Sequence, residues 1–148
     1  VENIAKSFTL RVEHTGGKIY TEIEAIDSAI FVDEMHFQNV IFNLMDNAVK
    51  YRKQDKPIDI YLRTWNDNDH LYLSVRDTGL GIKKENLKKI FDKFYRVHTG
   101  NVHDAKGFGL GLAYVHKVVD LHDGEIKVES EYGKGTTFTI KLPVIKDE

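Results

Sequence analysis

Two stretches in which every second residue is apolar constrain this chain more than any other feature: Ile58, Ile60 and Leu62, and then Leu71, Leu73 and Val75. Successive side chains of a strand point to opposite faces, so each run has one face made for a core. Between them lies Asn66-Asp67-Asn68-Asp69, a run of turn formers, and the pair therefore predicts a hairpin. Ile19 to Ala25 alternates in the same way after a Thr15-Gly16-Gly17 turn, and Ala29 to Val32 predicts a short strand. Ile126 and Val128, with Phe138, Ile140 and Leu142, predict a final strand pair around Gly133-Lys134-Gly135.

Helical spacing fills the intervals. Ile4, Phe8 and Val12 fall on one face over residues 1–13. From Asp33, a residue suited to an N-cap, Phe37, Val40, Ile41, Leu44, Ala48 and Tyr51 mark a long amphipathic helix that lasts until the polar run before Pro57. Residues 83–96 read as a short helix ending in Phe91, Phe94 and Tyr95, and Leu112, Val115 and Val119 mark another that stops near Asp123-Gly124. Residues 97–108 lack periodicity and mix Gly, Asn, His, Asp and Lys, which predicts a mobile loop. The expected class is α/β (α+β): a two-layer sandwich with one antiparallel or mixed sheet and helices packed on one face.

At 148 residues and 41% hydrophobic content the chain suits one compact domain. Its formal charge of −2, with Lys and Arg interspersed among Asp and Glu, leaves no basic footprint for nucleic acid or an anionic membrane surface. The absence of cysteine excludes disulfides, thiolate chemistry and Cys-based zinc sites. No apolar run approaches the roughly 18 residues of a membrane span. Residues 1–13 open without a capping residue or a methionine, as expected of a piece cut from a longer chain.

Three constellations carry chemistry. Lys106-Gly107-Phe108-Gly109-Leu110-Gly111-Leu112 places glycines at alternate positions just before a helical pattern, which suits either a phosphate held by backbone N–H groups or an ordinary turn. On the long helix, Asn39, Asn43, Asn47 and Lys50 fall within a narrow arc bordering the apolar stripe. Asparagine is a poor helix former, so the stripe reads either as amide oxygens and a counter-charge for a Mg-nucleotide or as amides bonded to neighbouring backbone. Asp77-Thr78-Gly79-Leu80-Gly81-Ile82 closes a strand with a carboxylate and two glycines, either an Asx-type turn or a pocket floor that accepts a hydrogen bond from adenine's exocyclic amine.

Taken in order, these residues closely resemble the ATP-binding catalytic domain of two-component sensor histidine kinases, of the Bergerat-fold (GHKL) superfamily, over nearly the whole chain. Asn43 to Tyr51 is similar to the family's N box and Asp77 to Ile82 to its first glycine box. Ile90 to Arg96 is similar to the F box, Gly107 to Leu112 to the second glycine box, and Gly133 to Phe138 to the last one. The resemblance implies a mixed sheet with helices on one face, and ATP held between the N-box helix and a lid at about residues 97–108. It makes Asn47 the main Mg²⁺ ligand with Asn43 in support, and Asp77 the partner of adenine, with Gly79, Gly81 and Ile82 beside the base. Lys50 and Arg96 would meet phosphates, Tyr51 would border the base or ribose, and Thr137 would help bind adenine through water. Lys106, Gly107, Gly109, Leu110, Gly111 and Leu112 would hold the phosphate chain. Asp123 departs from the pattern, standing where a second glycine is common, and Asn39 is no box residue.

Related ATPases of the gyrase and Hsp90 type place a glutamate one helical turn before the metal asparagine to activate water, and here that position is Asn43. An amide is no general base, so Lys50, Arg96 and Asn43 are expected to serve phosphoryl transfer to an imidazole. The acceptor is expected elsewhere: His14, His36, His70, His98, His103, His116 and His122 all lack the family's acceptor setting, and prolines stand only at 57 and 143. The implied layout is a connection to a dimerisation and phosphoacceptor domain over residues 1–13 and the catalytic domain over 14–148. A response regulator is implied downstream, and a cytoplasmic location, usually within a membrane-anchored sensor. A non-catalytic ATP-sensing interaction module and a GHKL-type ATPase are the alternatives.

Overall fold

The computed structural model describes residues 2–24, 34–53, 56–92 and 111–144. Helix α1 spans Glu2–Glu13, strand β1 Ile19–Ile23, helix α2 Glu34–Lys50, β2 Ile60–Asn66, β3 His70–Asp77, the one-turn α3 Lys84–Leu87, α4 Gly111–Leu121, β4 Glu125–Glu131 and β5 Gly135–Pro143. The sheet has the order β1-β2-β3-β5-β4. Among the described strands only β1 and β2 run parallel, with a helical connection between them in sequence, and the other described neighbour pairs are antiparallel. The expected hairpin is β2 and β3, in register Ile60 to Asp77 and Leu62 to Val75.

Parity decides what each strand residue touches. Ile60, Leu62, Leu73, Val75, Phe138, Ile140 and Leu142 all face the helical layer and are buried, as period-two alternation requires. Val40, Ile41, Leu44 and Met45 of α2 meet them at the centre, flanked by Phe8 and Val12 of α1 and Val115 and Val119 of α4. Helix α1 is therefore part of the domain core: Val12 is fully buried, and packing does not break at residue 13. Tyr20, Tyr61, Arg63, Trp65, Tyr72 and Arg76 occupy the alternate positions, on the face that no described helix covers.

One expectation is corrected in extent. Among the described residues, which here stop at 92, the helix expected over 83–96 is regular only from Lys84 to Leu87. No side chain caps its start, and the following bonds, Lys89 N to Asn86 O and Asp92 N to Lys89 O, are single turns that bring Ile90 into the core. The departure at Asp123 acquires a reason. Helix α4 ends there in a left-handed residue with φ of 58°, and Gly124 N closes onto Val119 O at 2.9 Å. Glycine is the default in that conformation, and aspartate is among the few residues that tolerate it. The strand expected at 29–32, the N-cap at Asp33 and the loop at 97–108 lie outside the described residues.

Candidate functional site

The end of α2 and the loop after β3 meet at one point. Tyr51 continues the helix through Tyr51 N to Asn47 O at 3.1 Å, and its own carbonyl accepts Leu80 N at 3.1 Å. A helix leaves its last carbonyls without partners, and here the Asp77–Ile82 loop supplies one. Gly79 fills the space between the Tyr51 carbonyl and the Asp77 carboxylate; a Cβ there would lie 2.9 Å from the first and 3.0 Å from the second. The N-box helix and the first glycine box are thereby brought together.

Asp77 is 9% exposed at the last position of β3. Its Oδ1 accepts Gly79 N at 2.8 Å, the bond of an Asx-turn. Burial pushes its carboxyl up to about 6, and the backbone N–H groups of Gly79 and Thr136 act in the opposite sense. A buried acceptor near a strand end, poised close to neutrality, is costly unless something uses it.

The loop is clamped from the other side by the β4–β5 hairpin. Gly133 N donates to Leu80 O at 2.6 Å, and Ser130 Oγ accepts Ile82 N at 2.7 Å while bonding Gly135 O at 2.9 Å and Thr136 Oγ1 at 2.8 Å. Gly81, with φ of 75°, would drive a Cβ into the Glu131 carbonyl, and Gly135, with φ of 140°, into the Asp77 carbonyl. Both positions need glycine for the backbone approach itself.

On α2, Asn43 and Asn47 are half-buried and Asn39 is exposed. Asn43 Nδ2 donates to the Asn39 backbone carbonyl at 2.8 Å. Asn43 Oδ1 is turned toward the start of α4, 3.0 Å from where a Cβ on Gly111 would stand. Asn47 lies one turn on, and no partner takes its side-chain amide among the described residues. Lys50 Nζ sits 2.8 Å from Asp46 Oδ2. Tyr51, Ile82, Gly111 and Leu112 are half-buried around this junction.

Thr137 is the sequence-expected site residue that the fold places elsewhere. It pairs with Arg76 and Glu129 on the uncovered face, in a shallow groove with Lys134. The residue opposite Asp77 is Thr136, 6% exposed on the same face as Phe138 and Ile140. Since Ser130 donates to Gly135 O, Thr136 Oγ1 donates to Ser130 Oγ and keeps its lone pairs for another donor. The alternation that marks Phe138, Ile140 and Leu142 as inward already assigns Thr136 and not Thr137 to that side. Arg96, Lys106, Gly107, Gly109 and Leu110 lie outside the described residues.

A mixed five-stranded sheet with one helical layer, and an amide-bearing helix joined to an Asp-Gly loop, are features of one class of nucleotide-dependent domain. Residues 32–146 match the family described as histidine kinase-, DNA gyrase B- and HSP90-like ATPase, and the chain belongs to it. It is 56% identical over 148 residues to the sensor protein RprX of Bacteroides fragilis, covering 100% of this chain and 28% of that protein. The sensor histidine kinase WalK of Bacillus subtilis is 35% identical over 122 residues, or 82% of this chain and 20% of the relative. Full-length ShkA in complex with AMPPNP superposes with a TM-score of 0.82 at 26% identity, over 99% of this chain and 29% of that one. The nucleotide-free catalytic domain of the histidine kinase ThkA superposes at 0.80 with 24% identity, over 96% and 90%. The chain thus spans little more than a quarter, or less, of these curated relatives.

Proposed function

We propose that this chain is the Mg-ATP-binding catalytic part of a two-component sensor histidine kinase, and that it passes the γ-phosphoryl group to a histidine on a separate helical domain. The observation that carries the reading is the Tyr51 O to Leu80 N junction, which sets the buried Asp77 beside the end of the helix bearing Asn43 and Asn47. In this reading Asp77 accepts a hydrogen bond from adenine's exocyclic amine. Thr136, rather than Thr137, holds a water against the base. Asn43 Oδ1 and the Asn47 amide offer neutral oxygen donors of the kind Mg²⁺ takes alongside phosphate and water. When bound there, Mg²⁺ would supply charge neutralisation for the phosphates, and Lys50 adds a cation. Arg96 and the second glycine box complete the phosphate side.

Asn43 cannot take a proton from water, which disfavours hydrolysis and leaves transfer to a stronger nucleophile. An imidazole nitrogen forms the bond to the γ-phosphorus as the bond to the bridging oxygen breaks, and ADP leaves. Positioning and charge carry such a reaction. Helix α1 connects the domain to the acceptor and dimerisation domain, and a response regulator takes the phosphoryl group onward. No described helix is long and apolar enough to cross a membrane; a cytoplasmic site of action, within a membrane-anchored sensor, follows from the same reading.

The test supplies the missing acceptor. With Mg-ATP alone the chain is expected to bind nucleotide and carry no phosphohistidine. Addition of a helical hairpin bearing the acceptor histidine should produce acid-labile, base-stable phosphate on the hairpin. Steady hydrolysis without any acceptor would favour an ATPase, and binding with no transfer to any acceptor hairpin would favour a sensing module.

A further inference from the structure

Asp46 lies inside the N box, yet neither the box pattern nor the amide stripe gives it a task. Its carboxylate, 18% exposed, is shared between two cations from two helices. Oδ2 is 2.8 Å from Lys50 Nζ and Oδ1 is 3.0 Å from Arg11 NH2. Arg11 belongs to α1, and its guanidinium also lies over the Phe8 ring, 4.8 Å from the centroid. Phe8 in turn packs on Phe42 of α2 at 5.1 Å, so Arg11 is held against the helix that carries Lys50.

The pair with Lys50 has the favourable helical polarity, acid before base by four residues, and Lys50 sits in the last turn where the helix end attracts a cation. An ammonium carries three N–H donors, so one bond to Oδ2 directs the group and leaves two donors for phosphate oxygens. Arg11 occupies the other carboxylate oxygen, which prevents Asp46 from closing on the lysine with both.

We propose that Asp46 is a positioning residue for the phosphate end of the nucleotide site, aiming Lys50 through Oδ2 while Arg11 of α1 holds Oδ1. The inference rests on Lys50 meeting phosphate, as in the function proposed above. It adds to the family site a residue, Arg11, that lies ahead of the stretch matching the family.

The sign of the effect separates positioning from plain electrostatics. Asp46 is an anion near where an anion binds, so its field alone opposes ATP, and neutralising it would tighten binding. Loss of aim does the reverse. Calorimetry on this chain with Mg-ATP, ADP and adenosine should show Asp46→Asn binding ATP about three- to tenfold more weakly, the scale of a partly shielded ion pair. ADP should lose less and adenosine nothing. Arg11→Gln should lose about two- to threefold. In a Lys50→Met background Asp46→Asn should cost nothing further. Unchanged or tighter ATP binding by Asp46→Asn, an equal loss for adenosine, or the same loss without Lys50 would each overturn the proposal. If Lys50→Met alone left ATP affinity intact, the phosphate role of Lys50 would fall first, a result distinct from failure at Asp46. Should Asp46→Asn not fold, Asp46→Glu keeps the charge but displaces the oxygens, and the same ATP-selective loss is expected of it.

Discussion

The two faces of the sheet are built from the same strands and do opposite work. On the helix side the inward residues of β3 and β5 are Leu73, Val75, Phe138 and Ile140, ending in the polar pair Asp77 and Thr136. On the other side the strands carry rings and cations: Tyr20 stacks on Tyr61 at 4.8 Å, Trp65 on Tyr72 at 5.2 Å, and Arg63 and Arg76 lie over Trp65 and Tyr61. The helix side draws on burial, and its buried polar residues among those described are few, Asp77 and Thr136 with hydrogen-bond partners and Thr64 with its hydroxyl oxygen unpaired. The outer side is a ladder of cross-strand pairs that satisfies itself at the surface. A ligand that needs a dry acceptor has only one of these faces to use.

The largest expected break in that comparison is in the hydrocarbon itself. Ile140→Ala, at a fully buried position, should destabilise the protein by about 2–5 kcal/mol, while Thr139→Ala, the next residue on the outer face, should stay within about 0.5 kcal/mol. Urea unfolding of the two variants measures the contrast, and equal losses would mean that the outer face is covered.

Asp77 gives the second contrast, because there function and stability oppose one another. Burial raises its carboxyl from 3.8 to about 6, so the folded chain holds the proton more tightly than the unfolded chain does. That contribution to stability is fully present below the unfolded value and is lost as the pH rises through about 6. Asp77→Asn should therefore be more stable than the parent at pH 8 without nucleotide, by up to about 3 kcal/mol, with the gain shrinking toward pH 4. The same variant should bind ATP roughly ten- to a hundredfold more weakly. A variant less stable than the parent at pH 8 would show that the carboxylate is sustained by contacts stronger than its desolvation.

The smallest effect sharpens the comparison most, since it turns on one residue of register. Thr136→Val should weaken adenosine binding by about 1 kcal/mol, one hydrogen bond, and Thr137→Val should leave it unchanged. The reverse order would place the base on the ringed face.

Much of this was legible in the sequence. The hairpin of β2 and β3 follows from Ile58 to Val75, and the burial of Phe8 and Val12 follows from their spacing. The Asn43–Asn47 stripe and the Asp77 loop are brought together as their resemblance to the kinase boxes implies. What sequence did not disclose depends on contacts between distant residues. Arg11 and Asp46 are 35 residues apart, and no local pattern pairs them. The face of Thr136 was available from period-two alternation, but a box of consecutive threonines hides which one is inward. Among the described residues, the helix expected over 83–96 loses its regularity after Leu87, where burial of Ile90 outweighs a run with little helical support of its own.

The bond from Leu80 N to Tyr51 O makes the Asp77–Ile82 loop serve as the stopper of the helix that bears the amides. Fraying the last turn of α2 and lifting the Asp77 loop are consequently one event rather than two. The Asp77 loop and the amide-bearing end of α2 are thus wired to loosen and tighten as a single cooperative unit, so a ligand that grips either end rigidifies both.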